Sequence, residues 1–201
     1  MNYLHSNHIL FRDLKPANIG FDKDTDEVKI FDFGLARTMR LQPNSKSPQR
    51  RLTKKIGTPR YMAPEIIRGA PYYDYAVDVY SFSIVLWQLV TDRTAYDDII
   101  TSSQLLTLVS KYNYRPPLGG VKGNDLKNIV KAGWSDKPSK RPSFSQIEQE
   151  LRIFISKERL HNHQKETFGF FRSLTQRHPK TPQIKPSGME QTSSMGLMAS
   201  C

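Results

Sequence analysis

Cysteine is almost absent from this 201-residue chain. The one present, Cys201, is the last residue, which excludes an intrachain disulfide and gives no sign of an oxidising compartment. Long apolar runs are missing too: the best, Val77 to Val90, is interrupted by Asp78, Ser81, Ser83 and Gln88 and is too short to span a bilayer. The opening Met1-Asn2-Tyr3-Leu4-His5 has neither the basic nor the apolar region of a signal peptide, so the expectation is an intracellular, cytoplasmic protein without a membrane partner. The five histidines, His5, His8, His161, His163 and His178, show no Cys/Asp/Glu spacing for a closed metal site. No internal repeat is visible.

Acids are absent from one long segment. Between Gly34 and Pro64 there are eight Lys/Arg and no Asp or Glu, and residues 157 to 201 contribute a further +4. Of the formal charge of +11 this leaves the body near −1, so the basicity belongs to a loop and a tail. The basic runs also lack interleaved aromatics, and specific nucleic-acid binding ranks last among the readings. A docking patch for acidic partners and a plain solvated loop both stay open for the basic segment.

What is present is concentrated in Phe11-Arg12-Asp13-Leu14-Lys15-Pro16-Ala17-Asn18. The string sets an acid, a cation two residues on and a carboxamide five residues on, across a stiffening proline. A carboxylate can take the proton of an attacking hydroxyl, an ammonium can offset phosphoryl charge, and an amide oxygen can bind a hard cation such as Mg²⁺. Alone, such a string is also compatible with a polar turn. It is followed by Asp32-Phe33-Gly34 after a strand-like run, and then by Ala63-Pro64-Glu65.

This ordered set resembles the eukaryotic protein kinases, and the resemblance spans residues 1 to about 157. It implies a protein-kinase-like α+β fold, here the mainly α-helical C-terminal lobe with a small β-hairpin and without the N-terminal β-rich lobe. In that pattern Asp13 positions the substrate hydroxyl, Lys15 neutralises the γ-phosphoryl of ATP, and Asn18 and Asp32 hold Mg²⁺, with Gly34 completing the metal-binding motif. Lys15 together with Thr58 is the serine/threonine rather than the tyrosine pattern, and Trp134 with Arg141-Pro142-Ser143-Phe144 looks most like the tyrosine-kinase-like branch. Glu65 would pair with Arg141, and Asp78 would bond the catalytic-loop backbone; a helix-start acid favoured by the dipole is the plainer reading of Asp78. Arg12 would clamp a phosphate placed on the activation loop by an upstream kinase, with Thr53 first and Ser47 and Ser45 next as acceptors. Protein substrates are the implied partners.

Two departures accompany the resemblance. Phe11 stands where the family has histidine, filling the space without supplying a donor. The glycine-rich loop, strand lysine and helix glutamate of the small lobe have no counterpart, which leaves an apolar face for something else to cover. The alternative reading is therefore an inactive, lobe-only binding or scaffold module, using the helical face around residues 98 to 135 and the basic loop.

Periodicity fills in the elements. Residues 1 to 10 read as a helix end and a lead into the loop, and Ile19-Gly20-Phe21 with Val28-Lys29-Ile30 as a hairpin. Residues 38 to 57 read as loop, and 75 to 90 as a helix apolar nearly all round and so buried on every side. Helices follow around Leu105–Val109 and Leu126–Val130. A last one starts at the capping box Ser143-Phe144-Ser145-Gln146 and ends at about Glu158, with 158 to 201 a basic, polar, disordered tail.

Overall fold

The computed structural model describes residues 1–39, 50–51 and 55–175. Helix α1 (Asn2–Ser6) leads into strand β1 (Ile9–Leu10), and β2 (Ile19–Phe21) and β3 (Val28–Ile30) form an antiparallel hairpin around an acidic turn. Strand β4 (Arg37–Thr38) returns to pair with β1, Ile9 opposite Thr38 and Leu10 opposite Arg37. Strand β5 (Arg50–Arg51) pairs with β6 (Tyr72–Tyr73) across helix α2 (Pro64–Ile67). Helices α3 (Ala76–Thr91), α4 (Ser102–Lys111), α5 (Asn124–Gly133) and α6 (Phe144–Thr175) supply most of the mass. Among the described residues the result is mainly helical, as expected, with the expected β2–β3 hairpin and two further two-stranded ladders.

Helix α3 is the axis of the core. Val77, Val79, Tyr80, Ile84, Leu86 and Trp87 are all buried, and Trp87 Nε1 donates to the Pro117 carbonyl at 3.0 Å. The Arg115 and Arg141 guanidinium carbons lie 5.0 and 5.2 Å from the centre of the Tyr80 ring, a cation–π arrangement inside the core. Helix α5 presses against α3 so closely that a methyl group on Gly133 would overlap Ser83 Oγ. Ser83 in turn donates to the Val79 carbonyl at 2.9 Å, so it has no free rotamer to retreat into.

Three expectations need correction. The last helix does not stop near Glu158 but continues to Thr175. Apolar periodicity ends there, yet Lys, Glu, Arg, Leu and Gln have high helix propensity, and no proline intervenes before Pro179. The segment 38 to 57 is not wholly loop, because Thr38 closes β4 and Arg50–Arg51 form β5; ladders of two residues leave no periodic signal. Helix α3 is not buried on every side either, since Leu89 near its end is 78% exposed. The capping box is as expected: Ser143 N–H donates to Gln146 Oε1 at 2.8 Å and Gln146 N–H to Ser143 Oγ at 3.3 Å.

An apolar groove of about 540 Å³ runs beside the hairpin, lined by Tyr3, Leu14, Ile19, Val28, Phe82 and Ile155 among others. Val28 in its lining and Phe21, its partner across the hairpin, are exposed. No helix among the described residues is long and apolar enough to cross a membrane.

The α3–α5 contact predicts that Gly133→Ala destabilises the chain by about 1–3 kcal/mol through overpacking. Adding Ser83→Ala should recover most of the loss; a double-mutant cycle by urea denaturation with no coupling between the two positions would contradict this packing.

Candidate active site

The loop between β1 and β2 is held from below by Asp78, fully buried in the first turn of α3. Its Oδ2 accepts the Phe11 N–H at 2.8 Å and its Oδ1 the Arg12 N–H at 2.7 Å, while His5 Nε2 lies 2.9 Å from Oδ2. Two amide donors and an imidazole N–H compensate a carboxylate that would otherwise be very costly to bury. Arg12 itself sits at φ 72°, a left-handed conformation unusual for a side-chain-bearing residue, and those bonds hold it there.

Asp13 follows, 6% exposed, and its carboxylate is the hub of a tight polar cluster. Lys15 Nζ donates to Oδ2 at 2.6 Å, and Thr58 donates to Oδ1 twice, from its hydroxyl at 2.6 Å and its backbone N–H at 2.9 Å. Lys15 also reaches Thr58 Oγ1 at 3.1 Å. Burial pushes the Asp13 carboxyl up, but the bonds from Lys15 and Thr58 outweigh it and hold the group below the usual carboxylate range. Thr58 is delivered by Gly57, whose φ of 110° and missing Cβ let it approach the Arg12 carbonyl; a Cβ there would sit 2.9 Å from that oxygen.

The hairpin brings Asn18 and Asp32 towards one end. Ile19 lies opposite Ile30, and Phe31 N–H donates to the Asn18 carbonyl at 3.1 Å, so Asp32 follows directly on the residue bonded to Asn18. Asn18 is buried and spends its amide N–H₂ on Asp13, at 3.0 Å to the carbonyl and 3.4 Å to Oδ2, which leaves its amide oxygen free of those two acceptors. Asp32, left-handed at φ 64°, is exposed and accepts from Gly34 N–H at 3.3 Å. Two hard oxygen donors, one amide and one carboxylate, suit Mg²⁺, which takes few protein ligands and fills its octahedron from phosphates and water. Among the described residues no group of three or more His, Cys, Asp or Glu could hold a metal ion.

Phe11 is fully buried and meets Phe33 edge to face, ring centroids 5.3 Å apart at 79°. The aromatic pair replaces a hydrogen bond with apolar packing. Arg12 Nε donates to the Leu35 carbonyl at 2.6 Å and Nη1 to the Tyr73 hydroxyl at 3.3 Å; its Nη2 is enclosed without a hydrogen-bond partner. Thr53, Ser47 and Ser45 lie outside the described residues. Glu65 and Arg141 form a two-pronged pair at 2.6 and 2.8 Å, buried between α2 and the turn before α6. Sequence reasoning missed the contacts His5–Asp78 and Arg12–Tyr73; each joins residues more than sixty positions apart, and no local pattern marks such a pair.

With this geometry in hand, comparison with known proteins is direct. Residues 1–151 match the protein kinase domain family, and the chain belongs to that family. A probable serine/threonine-protein kinase of Dictyostelium discoideum is 38% identical over 147 residues, 73% of this chain and 10% of that protein. Dual specificity protein kinase shkB of the same organism is 40% identical over 151 residues, 75% of this chain and 22% of its own length. A serine/threonine-protein kinase of Arabidopsis thaliana is 38% identical over 155 residues, covering 77% and 25% respectively. The chain thus spans a quarter or less of each of these relatives.

The Asp13 cluster carries a pH signature. Its folded-state pKa lies below the unfolded value, so ionised Asp13 adds stability above about pH 3.9, and that stability is lost as pH falls through the folded value. Thr58→Val removes one donor and should raise the Asp13 pKa in a carbon-detected NMR titration. Its destabilisation in urea should be full at neutral pH and shrink on acidification. An unmoved Asp13 titration would show that Thr58 Oγ1 does not bond it.

Proposed function

We propose that this chain forms the large-lobe part of a serine/threonine protein kinase, transferring the γ-phosphoryl group of ATP to Ser or Thr hydroxyls of proteins in the cytoplasm. The observation that carries the reading is the Asp13 cluster, where an ionised carboxylate, an ammonium and a threonine hydroxyl are locked together beside Asn18.

In this reading the substrate hydroxyl donates its hydrogen bond to Asp13. As its oxygen bonds the γ-phosphorus, the bond to the β–γ bridging oxygen breaks, ADP leaves and the hydroxyl proton passes to Asp13. Lys15, held 2.6 Å from Asp13 Oδ2, is close enough to offset charge on the transferring group. Asn18 Oδ1 and the Asp32 carboxylate would hold Mg²⁺, which when bound neutralises the nucleotide phosphates. Thr58 holds Asp13 through two bonds, and its pairing with Lys15 supports a Ser or Thr acceptor rather than tyrosine. Arg12, with one enclosed nitrogen unpartnered, supports the reading that it clamps a phosphate set on Thr53 by an upstream kinase. Residues 1–157 would make up the kinase portion and 158–201 a separate tail.

A second reading, a binding module that performs no transfer, draws on the exposed Ile100 and Tyr112 within the 98–135 face, at 93% and 71% exposure. An Asp13→Asn chain that keeps its full cellular effect would favour it.

The direct test is transfer of label from Mg²⁺-ATP to Ser/Thr protein substrates. Asp13→Asn should lower the rate about 10²- to 10⁴-fold, the usual contribution of a positioned base. A wild-type chain no faster than Asp13→Asn would overturn the proposal.

A further inference from the structure

The segments that flank helix α4, residues 92–101 before it and 113–117 after it, border a pocket of about 250 Å³. Its walls are aromatic and proline. The Tyr96 and Tyr114 rings lie 6.0 Å apart at 42°, and Trp87, Pro116 and Pro117 complete the apolar lining. These walls are held in place: Trp87 Nε1 is spent on the Pro117 carbonyl, and the Tyr96 hydroxyl lies 3.4 Å from that of Tyr80. Tyr96 stands at φ 58°, and Ile99 N–H closes a turn onto its carbonyl at 3.2 Å. Within that turn Asp97 and Asp98 line the pocket and remain exposed.

Neither carboxylate is neutralised from within the protein. Asp97 makes no hydrogen bond or ion pair with any described residue, and Asp98 receives only the Tyr114 hydroxyl, at 3.2 Å. Burial first, then the bond to Asp98 and the charges of both acids, push that phenol up, so it stays a neutral donor. Two cations stand near. Arg93 also lines the pocket but pairs with neither acid. Arg115 spends its Nε on the Trp134 carbonyl and its Nη1 on those of Val109 and Tyr114. Two residues beyond Asp98 and two before Tyr114, Ile100 and Tyr112 are exposed, so large apolar side chains flank the pocket on both of its segments. A polar pocket ringed by exposed apolar anchors is the composition of a protein contact.

We propose that this pocket docks an arginine side chain of a protein partner. The guanidinium lies against the Tyr114 ring and donates to Asp97 and Asp98, while apolar residues beside that arginine cover Ile100 and Tyr112. Arginine suits the site better than lysine. Its planar, weakly hydrated cation stacks on an aromatic face and serves two carboxylates at once, whereas an ammonium is a point charge. The size agrees: at about 250 Å³ the pocket falls below the ~300–1,000 Å³ of drug-sized ligand sites and suits a single side chain. None of its lining residues bonds to Asp13, Lys15 or Thr58, so the inference stands whether or not the chain transfers phosphate.

The test titrates the full ¹⁵N-labelled chain with peptides Leu-Gly-X-Gly-Leu, where X is arginine, lysine or citrulline, the neutral isostere of arginine. Backbone amide shifts report both the place and the affinity. The arginine peptide should shift Asp97, Asp98, Ile100 and Tyr114 saturably and bind about tenfold more tightly than the citrulline peptide. The lysine peptide should bind more weakly than the arginine one. Asp97→Asn combined with Asp98→Asn should erase the arginine-to-citrulline ratio. Asp97→Lys combined with Asp98→Lys should favour a peptide with glutamate at X, a gain that a misfolded variant would not show. Shifts confined to the Asp13 loop would place the peptide at the transfer site and overturn the proposal. So would a ratio near one, a ratio unchanged in the double Asn variant, lysine matching arginine, or no binding at all.

Discussion

The carboxylate of Asp78 is the interaction on which the rest depends. It lies at the start of the most apolar helix, with no exposure, and takes the two backbone amides that set the direction of Arg12 and Asp13. Buried acids are tolerated only when paired or fully hydrogen-bonded, so the helix and the loop are coupled. The helix can bury that acid only if the loop presents its amides, and the loop can hold its left-handed turn only against the acid. His5 extends the same constraint to α1. The polar cluster around Asp13 is thereby mounted on the hydrophobic core rather than on a free loop, the condition for precise positioning.

Around that anchor the cluster is built from short, charge-assisted bonds. Asp13 is ringed by donors alone, so its ionised state is favoured despite burial, whereas Tyr80 and Tyr96, enclosed in the helical core, are pushed towards the neutral form. Burial pushes all three towards their neutral forms, and what separates them is that the donors around Asp13 outweigh it while the partners of the phenols do not.

Much of this was legible in the sequence. The spacing of Asp13, Lys15 and Asn18 and the order of the later motifs point to a phosphoryl-transfer loop, because chemistry requires those residue types together in a short stretch. The β2–β3 hairpin was legible as two short apolar runs around an acidic turn, α3 as a long, nearly continuous apolar run, and α4 and α5 because their buried residues fall at helical spacing. What escaped reading lacks a period. Strand β5 is two arginines whose partners, Tyr72 and Tyr73, lie some twenty residues on, and Met39 is fully buried though it stands at the start of a segment read as loop. The length of α6 was missed for another reason, since propensity continued after the apolar stripe had ended.

The Glu65–Arg141 pair has a consequence for how the molecule reaches this state. Its two partners are 76 residues apart, and the Asp78 bonds to the loop close spans of 66 and 67. Such long loops cost entropy that is recovered only once both ends are docked, and long-range closures of this kind slow folding. During synthesis every residue of the Asp13 loop emerges well before the arginine that fastens α2. The nascent chain therefore carries the whole motif for a long interval without its frame, exposing the apolar faces of α3 that the later helices cover. For this fold, the chemistry is written ahead of the residues that brace it.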